Sequence, residues 1–348
     1  MRAGRRLLTT AAVAGAATGG AVLGWLAERR AAADMRDGSD PEAVELARAV
    51  TGRPRQVTAA DGTRLHAEIL GPDDAPAIVL AHGYTMTQDA WHYQRRDLSE
   101  EFRVVSYDQR GHGASAEAET GDYTMDALAS DLAAVIERCV PPGERVVVAG
   151  HSLGAMSALA LAKEHGELLG PRVAGLALVS TSGADIIGGV LGGAAAVATN
   201  ALPAVADALL PRLVGMPGPL GARPSDFTFL LIRAISLSPN ASPAHVAFTE
   251  RLSMGCPSAV RAALIPAFTS LDLTDAARGV SVPALVISGD LDRLTPPSGA
   301  RQLAELLPDA RLVELQGVGH MAPLEAHEAV TAHLRAFARR VLTLPDAR

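Results

Sequence analysis

Three short stretches hold side chains that could do covalent chemistry together. GHSLGAM, Gly150 to Met156, sets Ser152 among small residues; GDLDRLTP, Gly289 to Pro296, offers Asp290 and Asp292; QGVGHMAP, Gln316 to Pro323, presents His320 on a glycine-rich loop. A serine hydroxyl is a poor nucleophile at neutral pH until a base takes its proton, and an imidazole serves best when a carboxylate fixes its tautomer. Brought together, these groups would make and release acyl esters. With 33 glycines in 348 residues, a G-x-S-x-G pattern carries little weight alone, and its neighbours decide. Ser152 follows the apolar run RVVVAG (145–150) and opens a helix-periodic stretch, SLGAMSALALAKEH. Strand, tight turn and helix in that order are what a nucleophile elbow requires. Gly150 and Gly154 leave room for the turn, and a helix N-terminus favours negative charge developing beside the hydroxyl.

Such a turn needs a scaffold, and the chain from Arg55 onward supplies its pattern. RQVTAADGTRLHAEIL (55–70) puts Asp61 and Gly62 between two alternating runs, a β-hairpin signal. Short apolar runs follow: AIVLA (77–81), RVVSYD (103–108), RVVVAG, GLALVS (175–180), PALVISG (283–289) and ARLVEL (310–315). Runs apolar on both faces fit strands buried in a parallel sheet. LSEEF, MDALASDLAAVIERC, GAMSALALAKEH, ARQLAELL and HEAVTAHLRAFARRV read as the helices that cover it. The expected fold is α/β: a doubly wound, mostly parallel sheet of about eight strands, with sites at the carboxyl ends of the strands. Residues 55–182 and 278–348 would form this core. The interval 183–277 shows no convincing strand and is cut by several prolines, so it predicts a helical cap inserted after the sixth strand.

In these motifs and their order the chain resembles the α/β-hydrolase family of serine esterases and lipases, from about residue 55 to residue 341. In that family the acid follows G-x-x-D-x-x-x-P, which selects Asp292 over Asp290, and the histidine lies in G-H-x-x-P, which marks His320. HGYTMTQDAW (82–91) is similar to the family's loop after the third strand, which implies the backbone N–H groups of Tyr84 and Leu153 as an oxyanion hole. DQRGHGAS (108–115) matches the segment after the fourth strand. The resemblance implies cleavage of carboxylic esters through an acyl-enzyme. Ser152, Asp292 and His320 would be the catalytic residues, with no cofactor and no metal. A serine at position 152 excludes the alkyl-ester chemistry of haloalkane dehalogenases and epoxide hydrolases, which need a carboxylate there.

Two alternatives stay open: a cofactor-free haloperoxidase or perhydrolase using the same three residues, and a non-catalytic ligand-binding protein that keeps the fold. The apolar runs IIGGVLGGAAAVA (186–198) and FTFLLIRAI (227–235) favour a small hydrophobic ester as substrate, or equally serve packing within the cap. Of the remaining histidines, His82 and His112 read as loop braces, His151 flanks the nucleophile, and His92 either borders the pocket or is structural. His66, His165, His327 and His333 read as surface or helix residues.

Composition narrows the partners. Hydrophobic residues make up 48% of the chain and charged ones 20%, as in ordinary globular proteins. The net charge is -7, but residues 1–33 carry five Arg and one Glu, a local +4, which leaves -11 for the rest and argues against nucleic acid. Cys139 and Cys256 are too few for a disulfide scaffold and lack metal-site spacing, so they read as core residues. Leu7 to Leu26 has no charge and would span about 30 Å as a helix. That run and its flanking arginines fit a membrane anchor, or a signal peptide removed near Ala31 to Ala33, with a cytoplasmic extension as the third reading. Arg5 and Arg6 resemble a twin-arginine signal, from which Thr9 and Thr10 depart. Residues 34–54 read as a linker with a short helix.

Overall fold

The computed structural model describes Arg30 and residues 40–183, 224–269 and 271–342. Apart from Arg30, the leader 1–33 with its apolar run 7–26 lies outside those residues, as does the run 186–198. Eight strands form one sheet: β1 (Arg53–Thr58), β2 (Arg64–Leu70), β3 (Ala77–Ala81), β4 (Arg103–Tyr107), β5 (Val146–His151), β6 (Val173–Val179), β7 (Ala284–Gly289) and β8 (Ala310–Leu315). Their order is β1-β2-β4-β3-β5-β6-β7-β8. The hairpin β1–β2 is antiparallel and β2 joins β4 antiparallel, while every pair from β4 to β8 is parallel. The hairpin closes where the sequence places it, with Thr58 opposite Arg64 and Gly62 at φ 89°.

Alternate residues of the central strands feed two apolar layers. Val79, Val105, Val146, Val148, Leu176, Leu178 and Val286 point to one side, among residues of the helices α3 (Met125–Cys139) and α4 (Leu153–Glu164). Ile78, Leu80, Val104, Val147, Val179, Leu285 and Ile287 point to the other, with Leu98 of α2 (His92–Leu98) and Leu334 and Phe337 of the C-terminal helix (327–341). Each such side chain removed from water contributes roughly 1.5–3 kcal/mol, so a sheet greasy on both faces is held from both. Cys139 and Cys256 are buried and unpaired, as core residues.

Between β6 and β7 the described residues hold α5 (Asp226–Ser236), α6 (Pro243–Gly255), α7 (Ser258–Thr269) and α8 (Thr274–Arg278). Phe229, Leu237, Val246, Phe248 and Leu252 pack with Met86, Tyr93, Met321 and Leu324. The inserted helices therefore lie over the loops that follow β3 and β8. Among the described residues, no helix is long and apolar enough to cross a membrane. One helix differs from its sequence reading: LSEEF is mostly turn, because α2 ends at Leu98, whose carbonyl takes the N–H groups of Glu101 and Phe102. Lys163, the chain's single lysine, lies in the last turn of α4, more than half exposed beside Glu164.

Candidate active site

Ser152 lies between the end of β5 and the first turn of α4 at φ 51°, ψ -114°. That left-handed backbone is costly for a residue with a side chain. Its N–H reaches Val179 O on β6 at 2.9 Å, while its carbonyl takes the N–H of Ala155 and Met156. The flanking glycines make the bend possible. A Cβ on Gly150 would lie 2.3 Å from Ala155 N, and one on Gly154 would lie 2.2 Å from Ala81 O. Thr85 (φ 61°) and Ser180 (φ 50°), next to β3 and β6, are the other non-glycine residues with positive φ among those described. All three strained residues thus cluster on one rim of the sheet.

The histidine loop must travel from β8, at the sheet edge, back toward β5. It crosses the end of β7, where Leu291 N–H binds Val318 O at 2.9 Å and a Cβ on Gly289 would strike the same oxygen at 2.3 Å. His320 Nδ1 then donates to Asp292 Oδ2 at 2.9 Å, in a contact where both side chains are buried. Asp292 is fixed first. Its Oδ1 accepts the N–H groups of Leu294 and Thr295, each at 2.9 Å, and its Oδ2 accepts the Thr295 hydroxyl at 2.8 Å. Donation from Nδ1 leaves the lone pair on Nε2, as a general base needs. Asp290 is spent otherwise, on the N–H groups of Gly317 (2.6 Å) and Val318 (3.3 Å).

His151, beside the serine, is fully buried, and its Nε2 donates to the carbonyl of His320 at 2.9 Å, with ring centroids 5.0 Å apart. Burial, with His320 nearby, pulls its pKa down to about 3 and keeps it neutral. The β5–α4 turn and the His320 loop are thereby in direct contact. On the other side, a Cβ on Gly83 would lie 2.8 Å from His151 Nδ1 and 3.3 Å from Ser152 Cβ. The loop 82–91 is therefore pressed against the elbow. Its backbone turns at Thr85, and Met86 N–H closes on Gly83 O at 3.2 Å. The Tyr84 hydroxyl donates to Arg261 O at 2.8 Å, and its ring meets Phe268 in a T-shaped contact with centroids 5.1 Å apart. Leu153 is the first residue of α4, so the helix ladder offers its N–H no partner.

The segment 108–115 braces that loop, and His82 and His112 act as expected. His82 Nε2 accepts Gln109 N–H at 2.9 Å and its Nδ1 donates to Gly83 O at 2.8 Å, while His112 Nε2 accepts Thr85 N–H at 3.3 Å. Burial lowers their pKa values to about 4 and about 3. Asp108 ties the two loop segments together, accepting Gln88 N–H at 2.8 Å and Ala114 N–H at 2.9 Å. His92 is buried against Tyr93 and Phe248 rather than open to a pocket.

Several residues escaped the sequence. Thr295, three positions after Asp292, could have been suspected from its place in GDLDRLTP, since a threonine there can bond the aspartate locally. A second cluster had no local signal. The helix α1 (Pro41–Leu46), capped by Asp40, reaches α6 by a bond from Ala244 N–H to Asp40 Oδ2 at 2.8 Å. Glu42 accepts from the Tyr93 hydroxyl, which also meets His245 Nε2 at 3.2 Å. His327 stacks on Tyr93 with ring centroids 3.8 Å apart, so it is more than a surface residue. Among the described residues, no group of three or more His, Cys, Asp or Glu could hold a metal ion.

The model of the alpha/beta hydrolase family matches residues 78–333, and the chain belongs to that family. It is 29% identical to the bifunctional esterase/perhydrolase DCH of Acinetobacter calcoaceticus, across 81% of this chain and 99% of that one. The non-heme chloroperoxidase of Streptomyces lividans is also 29% identical, with the same coverage. The structure of a thermophilic esterase from Thermogutta terrifontis superposes with a TM-score of 0.61 at 27% identity, covering 83% of this chain and 98% of that one. The chain is thus a hydrolase by family.

Proposed function

We propose that the protein is a serine esterase for small hydrophobic carboxylic esters. Ser152 Oγ attacks the carbonyl carbon as His320 Nε2 takes its proton, and Asp292 holds the imidazole in the donating tautomer and faces the imidazolium that forms. The oxyanion receives the N–H groups of Tyr84 and Leu153. Collapse expels the alcohol with the proton from His320, and water, activated by the same base, releases the acid from Ser152. The observation that carries this reading is the pairing of a strained serine at the β5 turn with a histidine whose Nδ1 is 2.9 Å from Asp292 Oδ2. The apolar runs of the inserted segment are the reason for reading the substrate as hydrophobic.

A second reading, perhydrolysis, is favoured by the relatives named for perhydrolase and chloroperoxidase activity. Hydrogen peroxide would take the place of water at the acyl-enzyme and leave as a peracid. Residues 1–33 are read as an export signal or anchor, and the intact mass of the isolated protein tests that.

A fluorophosphonate probe should label folded wild-type protein at Ser152 and not the Ser152→Ala variant. Hydrolysis of p-nitrophenyl esters should exceed acetate- and peroxide-dependent halogenation of a reporter dye. The reverse order makes the perhydrolase reading primary, and no labelling at all leaves a ligand-binding protein.

A further inference from the structure

His320 is held by its main chain as well as by its ring. Its N–H donates to Ser236 O at 3.0 Å, at the end of α5, and Met321 N–H reaches the same oxygen at 3.2 Å. The residues on either side of His320 share a further acceptor. Glu325 Oε2 takes Gly319 N–H at 3.2 Å and Oε1 takes Met321 N–H at 3.1 Å. The third donor comes from the inserted helices: Ser238 N–H, just past α5, gives to Oε2 at 2.7 Å. Gly319 is what lets these pieces meet. A Cβ there would lie 2.5 Å from Ser238 N and 2.8 Å from Glu325 Oε1.

We infer that Glu325 is a positioning residue, whose carboxylate locks the turn after α5 to the backbone on both sides of His320, so that the inserted helices and the base move as one body. The inference rests on the role proposed for His320. A brace for the four-residue helix Ala322–Glu325 would need only the N–H groups of its own loop. The Ser238 bond has no part in such a brace. Three backbone donors on one half-buried carboxylate replace much of its lost hydration, which allows a charge to remain where burial alone pushes its pKa upward.

Glu325→Gln keeps the shape but turns one acceptor into an NH₂ group facing N–H donors. In p-nitrophenyl ester assays well below the melting temperature, kcat should fall about tenfold or more with KM within about twofold, because a misplaced base slows chemistry without weakening ground-state binding. The rate of fluorophosphonate labelling should fall in parallel, and Glu325→Asp should recover part of the loss. Gly319→Ala, which pushes on the same junction while leaving the carboxylate in place, should show the same kcat-selective loss.

Hydrogen exchange supplies a readout independent of turnover. In the wild type the amides of Ser238, Gly319 and Met321 should share one protection level, and in either variant both segments should lose it while β5 keeps its own. Unchanged kcat in folded Glu325→Gln and Gly319→Ala, or unrelated exchange at 238 and 319–321, overturns the inference. Turnover surviving in Ser152→Ala sinks the esterase reading instead, and the exchange result still decides the role of Glu325.

Discussion

Ser152 pays for its place on the turn with a backbone angle that an unstrained serine avoids, and the Thr85 and Ser180 kinks beside it are of the same kind. Strain of this sort, of order 1–3 kcal/mol per residue, persists only where surrounding contacts overrule it. The Ser152→Ala variant keeps the same angle and the same bonds from its main chain, so it should fold normally and lose on the order of 10⁴ or more in kcat. The two aspartates separate cleanly. Asp292→Asn disturbs the tautomer of His320 and should cost on the order of 10⁴ in kcat. Asp290→Asn loosens the Gly317 and Val318 amides and should cost far less, with a lower melting temperature as its main effect. Steady-state kinetics on the two variants checks the assignment. At this scale the serine, the histidine and both aspartates were legible as types and spacings, but the choice of Asp292 came from the family pattern. Nothing local distinguishes a carboxylate aimed at the His320 imidazole from one aimed at the Gly317 and Val318 amides, three and two residues before it. Glu325 was invisible for a similar reason, since its partners are set by how loops cross.

Strands and helices were the easier part, because a wholly apolar run has few places to go. The helices at 125–139 and 327–341 match their periodic stretches end for end, and the antiparallel hairpin follows from Asp61 and Gly62. LSEEF misled because its leucine and phenylalanine have helical spacing while both serve the end of a preceding turn. That preceding helix, His92–Leu98, carries five buried residues of mixed polarity, among them Gln94 and Arg95, and so hides its periodicity. The link between α1 and α6 through Asp40, Glu42, Tyr93 and His245 joins segments about 200 residues apart in sequence, beyond any pattern. The α4 entry fits tightly against β3. Gly154→Ala would drive a methyl group into the Ala81 carbonyl, and the fold should lose about 1–3 kcal/mol of unfolding free energy. Chemical denaturation measures it, and an unchanged midpoint would mean the helix can retreat from the strand.

The molecule as a whole carries three buried, neutral histidines around one rim: His82, His112 and His151. Their folded pKa values, about 4, 3 and 3, lie below the ordinary 6.5 of an unfolded chain. Between those limits the unfolded state binds more protons, so stability is complete above about pH 6.5 and drains away as the medium is acidified. Each histidine should account for about 2 kcal/mol between pH 7 and pH 5. Asp108, whose carboxyl burial pushes upward, opposes this by taking its proton sooner in the folded state. Unfolding midpoints recorded across that range should fall with acid, and replacing His112 by Gln should flatten the slope.

The solitary lysine has a practical corollary. Lys163 projects from the far end of α4, about 16 Å along the helix from Ser152. Apart from the terminal amine, a succinimidyl linker has a single point of attack on this surface. Beads or fluorophores coupled there would attach to every copy at one point, at the opposite end of the helix from Ser152.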